Sequence, residues 1–257
     1  MTREKDNGCR SSRETAKRVA PIAGYPEGWH HRTIAQQMHT YGQGPLARYF
    51  RGLDASHVPL IARRFEGGGW RRPPATMDGL LVVPKMTSVA KLDKWTDTWP
   101  IYNRALRYIL DVLKWSRSDF VDNSRGAILP DQQALTDSTM KVHSIMERDC
   151  PGDFLVFPVQ SGELHAGKSV EYARQTFVTN EFGLDSFSLA CLALTHPERF
   201  QHMCLDVQCP GAEYLARTEW QLVPFWCFFA SKLRLSQFRV VAPHQTSGAA
   251  TGVYPIE

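Results

Sequence analysis

Long apolar runs are missing from this sequence. The two longest, Leu189 to Leu194 and Leu222 to Ala230, fall well short of the roughly 20 residues needed to cross a bilayer, so no membrane-spanning helix is expected. The first residues, MTREKDNGCRSSRETAKR, carry charge with no apolar segment behind it, and no secretory signal is read there. Cysteine is scarce too: six in 257 residues, with no N-x-S/T acceptor. That is too few for a disulfide-stapled extracellular scaffold, and a reducing, cytoplasmic location is the expectation. C-x-x-C, H-E-x-x-H and G-x-S-x-G are all absent, so spacing announces neither a zinc site nor a hydrolase nucleophile.

What is present suits a folded chain. Hydrophobic residues make up 43% and charged residues 22%, a balance that excludes global disorder. The length supports one compact unit with a sizeable core. Charge is distributed unevenly: residues 1 to 75 carry thirteen Lys/Arg against six Asp/Glu, whereas residues 76 to 257 carry seventeen against twenty. The positive field therefore sits toward the N-terminal end, where it attracts polyanions.

Hydrophobic periodicity orders the chain. Residues 1–24 are polar and basic and read as a mobile arm, leaving 25–257 as a single globular domain. Trp29, Ile34 and Met38 recur at helical spacing before Gly42 and Gly44, a short helix is predicted from Pro45 to Arg51, and another from His57 to Phe65. The run 79–85 reads as a buried strand, and Ile101 to Trp115 as an amphipathic helix with Tyr102, Ala105, Leu106, Ile109, Leu110 and Leu113 on one stripe. A helix is predicted over 131–148, a strand from Asp153, a helix beginning near Lys168, and a helix capped by Asp185 or Ser186. The C-terminal part is extended, with 222–229 and the following LRLSQFRVV forming a hairpin. The fold class expected is α+β, a helix-rich single domain around a small mixed β-sheet. A doubly wound α/β sheet is the alternative, because the strands near 80 and 154 each precede a helix.

Two stretches carry chemistry. Gly162, Gly167, Lys168 and Ser169 match G-x-x-x-x-G-K-S, lying between a predicted strand and a predicted helix. In a P-loop such a turn points backbone N–H groups at phosphate, the lysine reaches the terminal phosphates and the hydroxyl binds magnesium. Against that reading, neither the strand at 79–85 nor the one at 222–229 ends in the acidic residue that a nucleotide hydrolase uses near its metal. The second stretch is 45–72, where Arg48, Arg51, Arg63, Arg64, Arg71 and Arg72 alternate with Tyr49, Phe50, Phe65 and Trp70. Guanidinium groups neutralise phosphates and aromatic rings stack bases. A third group, His196, His202, Cys204 and Cys209, holds zinc-binding residue types without zinc-site spacing.

The function expected is binding of a phosphate-bearing ligand, nucleic acid first, through Arg48, Arg51, Arg63, Arg64, Trp70, Arg71 and Arg72. One alternative is a P-loop NTPase or kinase using Gly162 to Ser169, the only reading that calls for magnesium and a nucleotide; otherwise no cofactor and no metal is expected. The other alternative is a non-catalytic subunit of a larger assembly, suggested by seven tryptophans and thirteen phenylalanines without a coherent catalytic set.

Overall fold

The computed structural model describes residues 17–66, 76–93, 99–122, 133–215 and 221–254. It is an α+β domain in which helices pack on two sheets.

The first sheet has four strands in the order β1, β4, β11, β5, with β1 (Gly79–Pro84), β4 (Phe154–Gln160), β11 (Thr251–Val253) and β5 (Glu181–Gly183). All its neighbours run antiparallel, so the doubly wound parallel alternative is not the arrangement adopted. The two similar apolar runs of the sequence are partners in it: Leu81 lies opposite Phe157 and Pro84 opposite Phe154. All seven residues of β4 are buried, as expected for a strand covered on both faces.

The second sheet has seven strands. Its path is β10 (Ser247–Ala249), β6 (Asp206–Gln208), β8 (Leu222–Phe229), β7 (Ala212–Tyr214) and β3 (Gln133–Leu135), with β9 (Lys232–Arg239) between β8 and β2 (Phe120–Asp122). Two pairings are parallel, β10 with β6 and β2 with β9, which makes this sheet mixed. The predicted hairpin is β8 and β9, joined by Ala230 and Ser231 at φ 50° and 58°. Two consecutive positive φ values give the loop the twist that right-handed strands need. At Ala250 the chain passes from β10 in one sheet to β11 in the other, its amide bonded to Gln208 O at 3.1 Å while its carbonyl accepts from Leu184 at 2.9 Å.

Helices fill the space around the first sheet. They are α1 (Ile34–Gly42), α2 (Val58–Glu66), α3 (Met86–Leu92), α4 (Ile101–Ser116), α5 (Asp137–Asp149), α6 (Val170–Gln175) and α7 (Ser186–Thr195). The stripe read along 101–115 is the buried face of α4, and it lies against α3 and α7. Every residue of α7 is buried, the condition of a helix apolar on all sides and enclosed by neighbours. Its N-cap, Asp185, accepts from the Phe187 and Ser188 amides at 2.8 and 3.1 Å and is paired with His143 at 2.9 Å. α1 starts later than its periodicity suggests because Thr33 and Gln36 form a capping box. The segment expected as a helix over Pro45 to Arg51 makes only a single tight turn, Ala47–Tyr49. The helix expected over 131–148 is strand β3 followed by α5, which opens at the Thr136 cap. No helix among the described residues is long and apolar enough to cross a membrane.

Residues 17–24, expected within a mobile arm, are bonded to the body instead. Val19 N donates to Gly167 O at 2.8 Å, Ile22 N to Gln245 O at 2.9 Å, and Gly24 O accepts from Leu205 N at 2.8 Å. Main-chain pairing supplies the favourable interaction that the polar side chains of this stretch do not.

Candidate functional site

The described part of the Arg/aromatic stretch lies on the Ala47–Tyr49 turn and α2, just after α1. Gly44 closes α1, its amide bonding His39 O at 2.7 Å, and the chain reverses through Pro45 into the turn that carries Arg48 and Tyr49. Arg48 lies over the Tyr49 ring, 4.7 Å from its centroid, and donates to Tyr49 Oη at 2.7 Å. Tyr49 is fixed from beneath, its carbonyl accepting from Tyr108 Oη at 2.5 Å.

These residues form one wall of a cleft of about 470 Å³. Across it stand Trp115 and Arg117 at the end of α4, with Arg32 and Pro197 at one side. Trp115 is 76% exposed, unusual for so large an apolar ring and suited to stacking. Arg117 and Arg32 are tied to carboxylates in bidentate fashion, Arg117 to Asp119 at 3.0 and 2.9 Å and Arg32 to Glu198 at 2.8 Å on each arm. Arg48, Arg51, Arg63 and Arg64 differ: all four are exposed, and none has a carboxylate partner among the described residues. Trp70, Arg71 and Arg72 lie outside the described residues.

Arg32 also lines a second cleft, of about 330 Å³, with Trp29, His31 and Glu198. The His31 and His196 rings lie 4.1 Å apart. Arg32 N–H donates to His196 Nε2 at 3.0 Å, so that nitrogen is the acceptor and Nδ1–H turns to Thr195 Oγ1 at 2.9 Å. Burial, with His31 and Arg32 adding to it, pushes the His196 pKa down to about 2, and burial lowers that of His31. Both imidazoles are thus neutral at physiological pH. Trp29 Nε1 and His31 Nε2 are buried here without a hydrogen-bond partner.

Beneath this cleft Arg199 is wholly buried. It donates to Ser161 O at 2.7 Å and Leu205 O at 2.9 Å, and its guanidinium lies 4.6 Å from the Tyr25 ring centroid. Tyr25 and Ser161 both donate to Asp78, at 2.9 and 2.6 Å. The cluster ties the N-terminal segment to β1, β4 and the turn at Pro197–Arg199.

The glycine turn has the expected strand before it, but its amides are directed elsewhere. Gly162 N donates to Gln160 Oε1, Gly167 N to Ser247 O, Ser169 N to Lys17 O, and the His165, Ala166 and Lys168 amides to carbonyls of the turn itself. Ser169, buried, caps α6 by accepting from Tyr172 N at 3.2 Å. The helix that follows has six residues. Gly162 and Gly167 are needed for geometry, with φ of 120° and 72°. In a P-loop those donors converge on phosphate; here they close a turn against residues 17–19 and β10. Lys168 Nζ instead lies 3.1 Å from His165 Nδ1, whose other nitrogen meets Glu181, a grouping that nothing in the spacing foretold.

His196, His202, Cys204 and Cys209 do not converge: His196 serves the Arg32 amide, while Cys209 is buried against Ser186. Among the described residues no cluster of His, Cys, Asp and Glu is arranged to hold a metal ion. Arg32, Trp115 and Arg117 belong to the first cleft but escaped the sequence reading, since they come from segments some 80 residues apart and share no local pattern. No protein-family model, curated protein or solved structure matches the chain.

Proposed function

We propose that the protein binds a phosphate-bearing polymer, nucleic acid in particular, on the face formed by the Ala47–Tyr49 turn, α2 and the end of α4. One observation carries the reading: Arg48, exposed and without a carboxylate partner among the described residues, lines one cleft with Tyr49 and the exposed Trp115, while Arg51, Arg63 and Arg64, exposed and likewise without such a partner, follow it along the chain. Guanidinium groups held free of internal ion pairs are available to phosphate oxygens, which they meet in bidentate geometry. An exposed indole gives a base a surface to stack on without sequence preference. Single-stranded nucleic acid is favoured, because Tyr49 and the exposed Trp115 line the cleft, and aromatic rings stack unpaired bases.

Fluorescence anisotropy with labelled single-stranded RNA, single-stranded DNA and duplex DNA tests the proposal, at about 50 and about 200 mM salt. Tight, salt-sensitive binding of a single strand is expected. Absence of binding at the lower salt, or binding unaltered by R63A/R64A, refutes it.

A further inference from the structure

Away from the cleft, the turn between β4 and α6 brings together three groups that the sequence separates. Glu181, on β5, is buried and accepts from His165 Nε2 at 2.9 Å. A carboxylate is an acceptor only, so Nε2 carries the hydrogen and Nδ1 presents a lone pair. That lone pair receives Lys168 Nζ at 3.1 Å. The order carboxylate, imidazole, amine repeats the logic by which an oriented histidine activates a nucleophile, with a lysine in the nucleophile's place.

The surroundings are fixed on each side. Glu181 is held by the Val178 amide at 2.8 Å, and Thr176 Oγ1 lies 3.5 Å from Nζ. Burial would raise the Glu181 carboxyl, but the bonds from His165 and Val178 outweigh it and keep it below the ordinary value. Lys168 itself is lowered, by burial first and by the Arg18 charge second, with Glu181 acting the other way. Arg18 pairs with Lys168 across an antiparallel bridge. Directly opposed residues of such a pair extend side chains to the same side, their Cβ atoms about 5 Å apart. Arg18 is exposed and has no carboxylate partner among the described residues.

We propose that Lys168 is a nucleophilic amine that condenses with a small anionic aldehyde or ketone, with His165 as its base, Glu181 as the residue positioning His165, and Arg18 as the seat of the anion. The step balances without an oxidant or reductant. Lys168 ammonium passes one proton to His165 Nδ1, and the freed amine pair forms a C–N bond to the carbonyl carbon. The carbonyl π pair moves to oxygen, which takes the proton back from His165 to give a carbinolamine. A second proton, from the nitrogen through His165, lets the hydroxyl leave as water, and a protonated imine remains. Amine activation by partial burial beside another cation is an established route to such chemistry. This proposal is independent of nucleic-acid binding.

The probe is pyridoxal 5′-phosphate, an anionic aldehyde, at substoichiometric concentration on the full chain near neutral pH, trapped with borohydride and mapped by peptide mass spectrometry. Because burial and the Arg18 charge favour the neutral amine of Lys168, its adduct is expected to exceed that on the exposed Lys17 several-fold. H165N and E181Q are expected to remove that preference, and R18A to remove the advantage of the phosphate-bearing aldehyde over neutral propanal. Wild-type labelling that follows exposure alone overturns the proposal. The wild-type profile decides the question even if the buried variants fail to fold.

Discussion

Phosphate contact by the exposed arginines makes affinity depend on salt. Each phosphate neutralised on a single strand contributes about 0.7 to the slope of log K against log salt. If Arg48, Arg51, Arg63 and Arg64 each meet one phosphate, the slope is about −3, and affinity falls roughly 50-fold between about 50 and about 200 mM salt. Removing Arg63 and Arg64 together takes about 1.4 from the slope and reduces that fall to roughly sevenfold. Trp115→Ala acts differently: loss of one stacking surface costs about 1–3 kcal/mol and leaves the slope where it was. Lys141, an exposed cation on α5, supplies the control. Anisotropy titrations at four salt concentrations read both quantities. A wild-type slope near zero refutes the reasoning, as does a K141A effect equal to that of R63A/R64A.

Asp185 caps α7 and pairs with His143 wholly inside the protein; Asp185→Ala strands the histidine and is expected to cost about 3–5 kcal/mol. Asp185→Asn keeps the cap acceptor and is expected to cost less than half of that, so equal urea midpoints for the two variants would dismiss the cap's contribution. Burial tends to raise the Asp185 carboxyl, yet the bonds from His143 and Ser188 hold it below its ordinary value. Its contribution is therefore present above about pH 4 and lost as the pH falls further, which an acid titration of D185N against wild type tests. Asp206 is opposite in sign: burial pushes its pKa up to about 6. Stability then declines as the pH rises from about 4 to about 6 and is level above, and D206N should abolish that decline in calorimetric scans. Gly167→Ala places a methyl group against Val19 O at a positive φ, and is expected to lower stability by about 2 kcal/mol or more; an unchanged melting temperature would show that the backbone there is free to relax.

Local physics was readable in the residue order. The apolar stripe of α4, the continuous apolar run of β4 and the hairpin at Ala230–Ser231 follow from periodicity and chain reversal, which need only neighbours within a few residues. Charge asymmetry likewise belongs to the composition, so the excess of Lys and Arg over residues 1–75 was visible before the fold. The turn at Gly162–Ser169 illustrates the limit: its spacing is a local property, but the fate of its N–H groups depends on Lys17, Gln160 and Ser247, brought there by three other segments. The strand β3 within a predicted helix shows the same limit, since Gln133 to Leu135 gain their partner only through Tyr214 to Ala212. The second wall of the cleft is likewise a product of packing. Sequence determined which residues are buried and which carry charge; the tertiary structure decided which charges stay unpaired and which amine stands beside which imidazole, because those outcomes depend on contacts between segments distant along the chain.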